Sequence, residues 1–122
     1  MSSYQQKEPI IAMLETTEHL PLTLNNEPCP VEAVAEIIGR KWVCLILRDL
    51  ANGQQRFGQL QHSLNISPRV LSARLQELER EGLVLREIFA EVPPRTEYTL
   101  TEKGMLLVPL IDEMRRVGKN FL

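Results

Sequence analysis

The chain has 122 residues, 43% of them hydrophobic, which is enough apolar side chain for one core and hardly for two. With 25% charged residues and a formal net charge of -2, it is neither an acidic disordered tail nor a polybasic arm, so global charge identifies no partner. The apolar run Ile10–Leu14 is far shorter than a membrane span or a signal-peptide core and is followed by Glu15 and Glu18, so neither export nor insertion is expected. Cys29 and Cys44 match no zinc or thioredoxin spacing, which suits reduced thiols in a cytosol.

Residues 1–28 carry Pro9, Pro21, Pro28 and the pair Asn25-Asn26, with Lys7 set against Glu8, Glu15, Glu18 and Glu27. They read as an arm, within which Ile10 to Glu18 could form about two helical turns stabilised only by docking. From Pro30 the pattern Val31, Val34, Ala35, Ile38 predicts a first core helix, ended by Gly39 as a left-handed cap. Lys41 to Ala51 predicts a second, central helix burying Trp42, Leu45, Ile46 and Leu50, its face widened by Val43 and Leu47; the turn pair Asn52-Gly53 stops it. Phe57, Leu60 and Leu64 mark a third, of about two turns.

Ser67 and Pro68 are the preferred residue types for an N-cap and a first helical position, and the helix they open carries Leu71, Leu75 and Leu78 before closing at Gly82. Leu83 to Phe89 is too short for another helix and rich in branched and aromatic residues, so it reads as a strand. Val92-Pro93-Pro94 interrupts hydrogen bonding, and Arg95 to Leu100 alternates with period two, which predicts the second strand of an antiparallel hairpin. Thr101 offers an N-cap for a last helix through Met105, Leu106, Pro109, Leu110, Met114 and Val117, kinked at Pro109.

Helix, tight turn, capped helix and two-stranded hairpin give a mainly α fold with a small antiparallel β hairpin: a winged helix-turn-helix, whose second helix enters the DNA major groove. Charge placement agrees with this order. Between Asp49 and Glu77 there is no acidic residue, whereas Arg56, Arg69, Arg74 and His62 stand among Gln, Ser and Asn side chains, a composition suited to phosphate and base contacts. A solvated face that lacks acids by chance is the plainer explanation of that window.

Rotating about 100° per residue from the leucine stripe puts Arg69, Ala73, Gln76 and Arg80 on the far face, with Ser72 and Val70 at its margins. Arg69 is suited to guanine O6 and N7, Gln76 to adenine, and Ala73 or Val70 to a thymine methyl. Arg80, near the helix C-terminus, complements the dipole. Arg74, on the flank, either contacts phosphate or pairs with Glu77 or Glu81. Ser67 caps the helix, whose N-terminus is also a place to hold phosphate. Arg95, beside the prolines, is the candidate wing contact, with pairing to Glu91 or Glu97 as its alternative.

Cys29-Pro30-Val31-Glu32, Ile38-Gly39-Arg40-Lys41-Trp42, Arg56-Phe57-Gly58-Gln59-Leu60, Ile66-Ser67-Pro68-Arg69-Val70-Leu71, Gly82-Leu83-Val84 and Val92-Pro93-Pro94-Arg95-Thr96-Glu97-Tyr98-Thr99-Leu100-Thr101, in this order, resemble the HxlR-type transcriptional regulators. The resemblance spans about residues 29 to 118 and implies a homodimeric, cytoplasmic bacterial winged-helix protein that binds double-stranded DNA, with terminal helices forming the dimer interface. Several members of that family sense electrophiles or oxidants through a cysteine just before the first core helix, the place Cys29 occupies. A helix N-terminus is a setting in which a thiol can become reactive, although the Cys-Pro pair is also a plain family signature; Cys44, in an apolar stretch, reads as an inert core thiol.

The expected partition is an arm over 1–28, a winged helix-turn-helix domain over 29–104 and a dimerisation helix over 105–122. The last helix carries more apolar surface (Leu106, Leu107, Leu110, Ile111, Met114, Val117, Phe121) than a small domain needs, and the surplus suits a twin. The expected function is sequence-specific regulation of transcription from a palindromic operator, under thiol or small-molecule control. The alternative is a winged-helix module that meets protein, which apolar residues in place of Arg69 and Gln76 would have favoured. Neither a nucleophile elbow nor a phosphate loop appears, and His19, His62, Cys29 and Cys44 lack ligand spacing, so no catalysis, metal or cofactor is expected.

Overall fold

The computed structural model describes residues 27–122; the arm up to residue 26, with its expected helix over Ile10–Glu18, lies outside them. The chain divides into two compact units, one ending at Lys41 and one running from Trp42 to Leu122.

In the first unit, helix α1 spans Pro30–Ile38, with Pro30 in its opening turn. Ala33 is buried and Val31 is 65% exposed. Gly39 ends the helix in a right-handed conformation (φ -76°), not the expected left-handed one, because its N–H simply prolongs the ladder onto the Ala35 carbonyl at 2.8 Å. The left-handed residue of this stretch is Trp42, at φ 79°.

The second unit contains α2 (Val43–Leu50), β1 (Gln55–Arg56), α3 (Phe57–Leu64), α4 (Pro68–Arg80), β2 (Val84–Phe89), β3 (Arg95–Leu100), α5 (Glu102–Met105) and α6 (Val108–Gly118), closed by a short 3-10 turn over Lys119–Phe121. In α2 the buried side chains are Val43, Ile46, Leu47 and Leu50, whereas Leu45 is 40% exposed and Trp42 half-buried. That corrects the expected inner face: spacings of three, four and seven from Val43 fall on one side, and Leu45 points away from it. Cys44 is half-buried, and desolvation pushes its thiol above the ordinary value.

Helix α4 begins as its sequence dictates. Ser67 Oγ accepts the Val70 N–H at 3.2 Å, with Pro68 in the first turn. Leu71, Leu75 and Leu78 are all at most 1% exposed. The helix ends in a Schellman motif: Gly82 takes φ 76°, its N–H bonds the Glu79 carbonyl at 3.0 Å, and the Leu83 N–H bonds the Leu78 carbonyl at 2.9 Å.

The hairpin is present in the register Val84↔Leu100, Arg86↔Tyr98, Phe89↔Arg95. It is joined by a third strand, β1, which pairs Gln55↔Tyr98 and Arg56↔Glu97 and makes β3 the centre of the sheet. Two residues are too short to show a period, so this strand has no signature of its own.

The last helix is broken in two. Leu106 and Leu107 make tight 3-10 bonds to the Lys103 and Gly104 carbonyls at 3.2 and 3.1 Å, and α6 restarts with Pro109 in its first turn. A proline ring there clashes with the carbonyl of residue i−4 and lacks an N–H, so a restart relieves what a continuous helix would strain. Helix α6 packs on α2, burying Leu107 and Ile111.

The start of α5 is fastened to the end of α4. Thr101 Oγ1 donates to the Gly82 carbonyl at 2.6 Å and accepts from the Gly104 N–H at 3.1 Å, while Lys103 Nζ donates to the Glu81 carbonyl at 3.0 Å. A Cβ on Gly104 would lie 2.1 Å from the Leu83 carbonyl oxygen, so only glycine permits this approach. Gly104→Ala should cost about 1–3 kcal/mol of stability through forced backbone displacement. Urea unfolding followed by circular dichroism checks it, and an unchanged midpoint would mean that the Leu83 carbonyl moves aside at no cost.

Candidate nucleic-acid interface

The leucines of α4 face inward, and its opposite side is uncovered. Arg69, Ala73, Gln76 and Arg80 are all exposed, with Val70 and Ser72 half-buried at the margins, as the 3.6-residue period requires. Arg69 makes no ion pair or hydrogen bond among the described residues, so its guanidinium is available to a ligand. Gln76 Nε2 donates to Ser72 Oγ at 3.3 Å, one turn back. Ser67 is exposed and engaged as the cap.

Charge is graded along this helix. From Pro68 to Gln76 there is no acidic residue, whereas Glu77, Glu79 and Glu81 follow. Arg74 sits at that border and pairs with Glu77, its Nη1 3.1 Å from Oε1. The alternative to a phosphate contact is thus the state of Arg74 in the free protein. The N-terminal half of α4 is the cationic half, and the helix dipole adds to it.

A second feature joins this face to the hairpin. An open groove of about 580 Å³ runs between the start of α3 (Arg56, Phe57, Gly58), Ser72 of α4, the strand residues Arg86, Thr96 and Tyr98, and the turn from Glu91 to Arg95. Ser72 and Arg95, far apart in sequence, therefore share one cleft with two further arginines, Arg56 and Arg86. Arg86 lies opposite Tyr98 on the inner side of the hairpin and hydrogen-bonds its phenol. Burial pushes the Tyr98 phenol above its ordinary value, with Arg86 opposing that shift and Glu79 adding to it.

Arg95 is held on three sides. Its guanidinium lies over the Phe89 ring, 4.1 Å from the centroid, Nη1 pairs with Glu91, and Nε lies 2.5 Å from Glu97 Oε2. Both of its expected acidic partners are engaged at once. Arg56 approaches the same Glu97 oxygen at 3.7 Å.

Arg86 is not among the residues the sequence singles out: in a strand whose Leu85 and Ile88 are both exposed (55% and 61%), polarity alone does not tell one side from the other. Arg56 stood out only as part of the acid-free window. Cys29, the candidate sensor, lies in the first unit, half-buried immediately before α1, with its carbonyl accepting the Ala33 N–H at 3.0 Å. Among the described residues no group of His, Cys, Asp or Glu is arranged to hold a metal ion, and no helix is long and apolar enough to cross a membrane.

The sequence and the fold have counterparts among known proteins. The HxlR-like helix-turn-helix family profile matches residues 37–122. An HTH-type transcriptional regulator, YvaP of Bacillus subtilis (strain 168), is 46% identical over 99 residues, covering 80% of this chain and 92% of that protein. Among solved structures, the redox regulator HypR in its oxidised form superposes with a TM-score of 0.70 at 38% identity, covering 75% of this chain and 96% of that one. The reduced form of the transcriptional regulator YodB from B. subtilis does so with a TM-score of 0.65 at 36% identity, over 76% and 94%. A capped helix with an uncovered cationic half, a hairpin wing and this breadth of likeness lead to one conclusion: the chain belongs to the HxlR-like helix-turn-helix family of transcriptional regulators.

Proposed function

We propose that the chain regulates transcription as a homodimer on a palindromic operator, with the two α4 helices entering successive major grooves about 10 bp apart or a multiple of that. The observation that carries this reading is the uncovered Arg69–Ala73–Gln76 face, free of acidic neighbours in its N-terminal half. Arg69 and Gln76 read base edges, Ala73 and Val70 meet thymine methyls, and Ser67, Ser72 and the helix N-terminus hold phosphates. Arg74 exchanges Glu77 for phosphate at the flank. Arg95, with Arg56 and Arg86 across the groove, takes the backbone beside the wing. In this reading the protein is a cytoplasmic DNA-binding regulator and not an enzyme, and the uncovered face carries polar and cationic groups unsuited to an apolar protein partner.

Residues 29–104 supply the DNA-binding domain and 105–122 the dimer contact, with the N-terminal arm as an accessory to it. Support for the latter is the exposed apolar surface at Met105, Met114, Val117 and Phe121, with 50, 43, 40 and 83% of each accessible. Light scattering should give twice the 14.0 kDa protomer mass; a monomer at micromolar concentration would remove the dimer. The redox regulators among the structural relatives support Cys29 as a thiol through which an oxidant or electrophile alters DNA binding. Selecting bound fragments from random duplex DNA, with and without a mild oxidant, tests both. A palindromic consensus is expected, and binding without any sequence preference would overturn the reading.

A further inference from the structure

The hairpin carries an arrangement that the reading of bases does not require. Glu97 sits in the middle of the sheet, opposite Arg56 on β1 and opposite Glu87 on β2. Like charges facing each other across strands are unfavourable, so a carboxylate at this place needs a compensating reason. Two arginines supply it: Oε2 lies 2.5 Å from Arg95 Nε and 3.7 Å from Arg56 Nε.

The two acidic partners of Arg95 differ in kind. The Glu97 side chain is 15% exposed, and the Nε atom that faces it is buried without a hydrogen bond, so Glu97 holds it by charge alone. Glu91, on the turn, is 49% exposed and meets the outer Nη1. One partner is enclosed by the sheet and the other stands in solvent at the rim of the groove. A phosphate arriving in that groove competes for Nη1 with a solvated carboxylate, an exchange of one weakly held anion for another. At Nε it has no access. Phe89 beneath the guanidinium plane and the backbone pairing Phe89↔Arg95 fix the remaining direction.

We infer that Glu97 is a positioning residue for the phosphate-binding arginines of this face, fixing Arg95 and Arg56 relative to each other, and that Glu91 is the counter-ion a DNA phosphate displaces. The inference rests on the DNA-binding reading above and adds a division of labour: two carboxylates of equal charge, a few residues apart, act on binding with opposite sign. Arg56 gives the arrangement its reach. It is the residue at the start of α3, where its N–H is accepted by Gln59 Oε1 at 2.7 Å, so the same carboxylate links the wing to the first helix of the helix-turn-helix pair.

Glu91→Ala and Glu97→Ala each remove one negative charge, so a simple charge effect would strengthen DNA binding in both. Glu91→Ala should bind a fixed duplex about two- to fivefold more tightly, the worth of one exposed ion pair. Its slope of log K against log salt should stay unchanged, because Arg95 still neutralises one phosphate. Glu97→Ala should bind about three- to tenfold more weakly, a fraction of one charge-assisted contact, with a slope shallower by about 0.9, because one phosphate is no longer neutralised. Glu97→Gln, which keeps an acceptor oxygen in the same shape, should recover part of that affinity. Fluorescence anisotropy across a salt series reads all three variants, and thermal melting excludes unfolding as the cause. Tightening by both alanine variants, or no change of slope in Glu97→Ala, would overturn the inference while leaving DNA binding intact. Absence of salt-dependent binding in the wild-type protein would overturn the DNA reading and this inference with it.

Discussion

Replacing Leu75 by alanine should lower the free energy of unfolding by about 2–5 kcal/mol. The side chain is 1% exposed, between Leu71 and Leu78 on the buried stripe of α4, and interiors packed to crystal-like density relax little around a missing isobutyl group. Leu75 also stands one turn from Leu71 and beside the Arg74–Glu77 pair, so the cavity would loosen the helix in its middle, where the charge gradient changes sign. Urea unfolding at one fixed protein concentration is the measurement, since dimerisation would otherwise move the midpoint by mass action. A loss under about 1 kcal/mol would mean that the neighbouring leucines collapse into the space, below what buried leucine deletions ordinarily show.

The counterpart on the other side of the same helix is Arg69→Ala. It should leave the unfolding curve where it is, because Arg69 is exposed and makes no ion pair or hydrogen bond among the described residues that its removal would break. Specific DNA binding should weaken by about 1–3 kcal/mol per half-site, with relaxed preference at one base pair. The distinction from a phosphate contact is sharp: removing a phosphate contact lowers affinity for every sequence and reduces the salt slope, whereas removing a base contact chiefly erodes discrimination. Uniform weakening across operators would move Arg69 from the groove floor to the backbone. Leu75 and Arg69 thus test the two faces of α4 separately, the buried one that holds the domain and the uncovered one proposed to meet DNA.

Much of this was legible in the residues because local chemistry and tertiary packing agree. Ser67-Pro68 is a start signal with two independent physical causes, the orphan N–H groups and the fixed proline φ, and Gly82 is a stop signal with one. The leucine stripe then orients everything between them. The hairpin followed from a change of period and a proline break. What escaped the sequence did so for equally physical reasons. Strand β1 has no propensity of its own and exists because β3 offers it an edge. Pro109 predicts a kink in the last helix, but where and how far that helix gives way depends on what α6 packs against. Leu45 and Trp42 look as apolar as Ile46, and only the phase of α2 separates them. Arg86 and the twofold engagement of Glu97 arise from strand register, which depends on partners brought from elsewhere in the chain.

The fastening of Gly82 and Glu81 to Thr101 and Lys103 has a mechanical consequence. The far end of α4 is bolted to the segment that leads into α6, so in an assembly joined through α6 that read DNA through α4, each α4 would stand on a strut. The spacing between the two would then be set in the protein, as the teeth of a gear are, and the double helix would have to conform to it. An operator whose natural twist already matches that fixed pitch would be favoured over one that must be wound to fit, at base pairs no side chain touches.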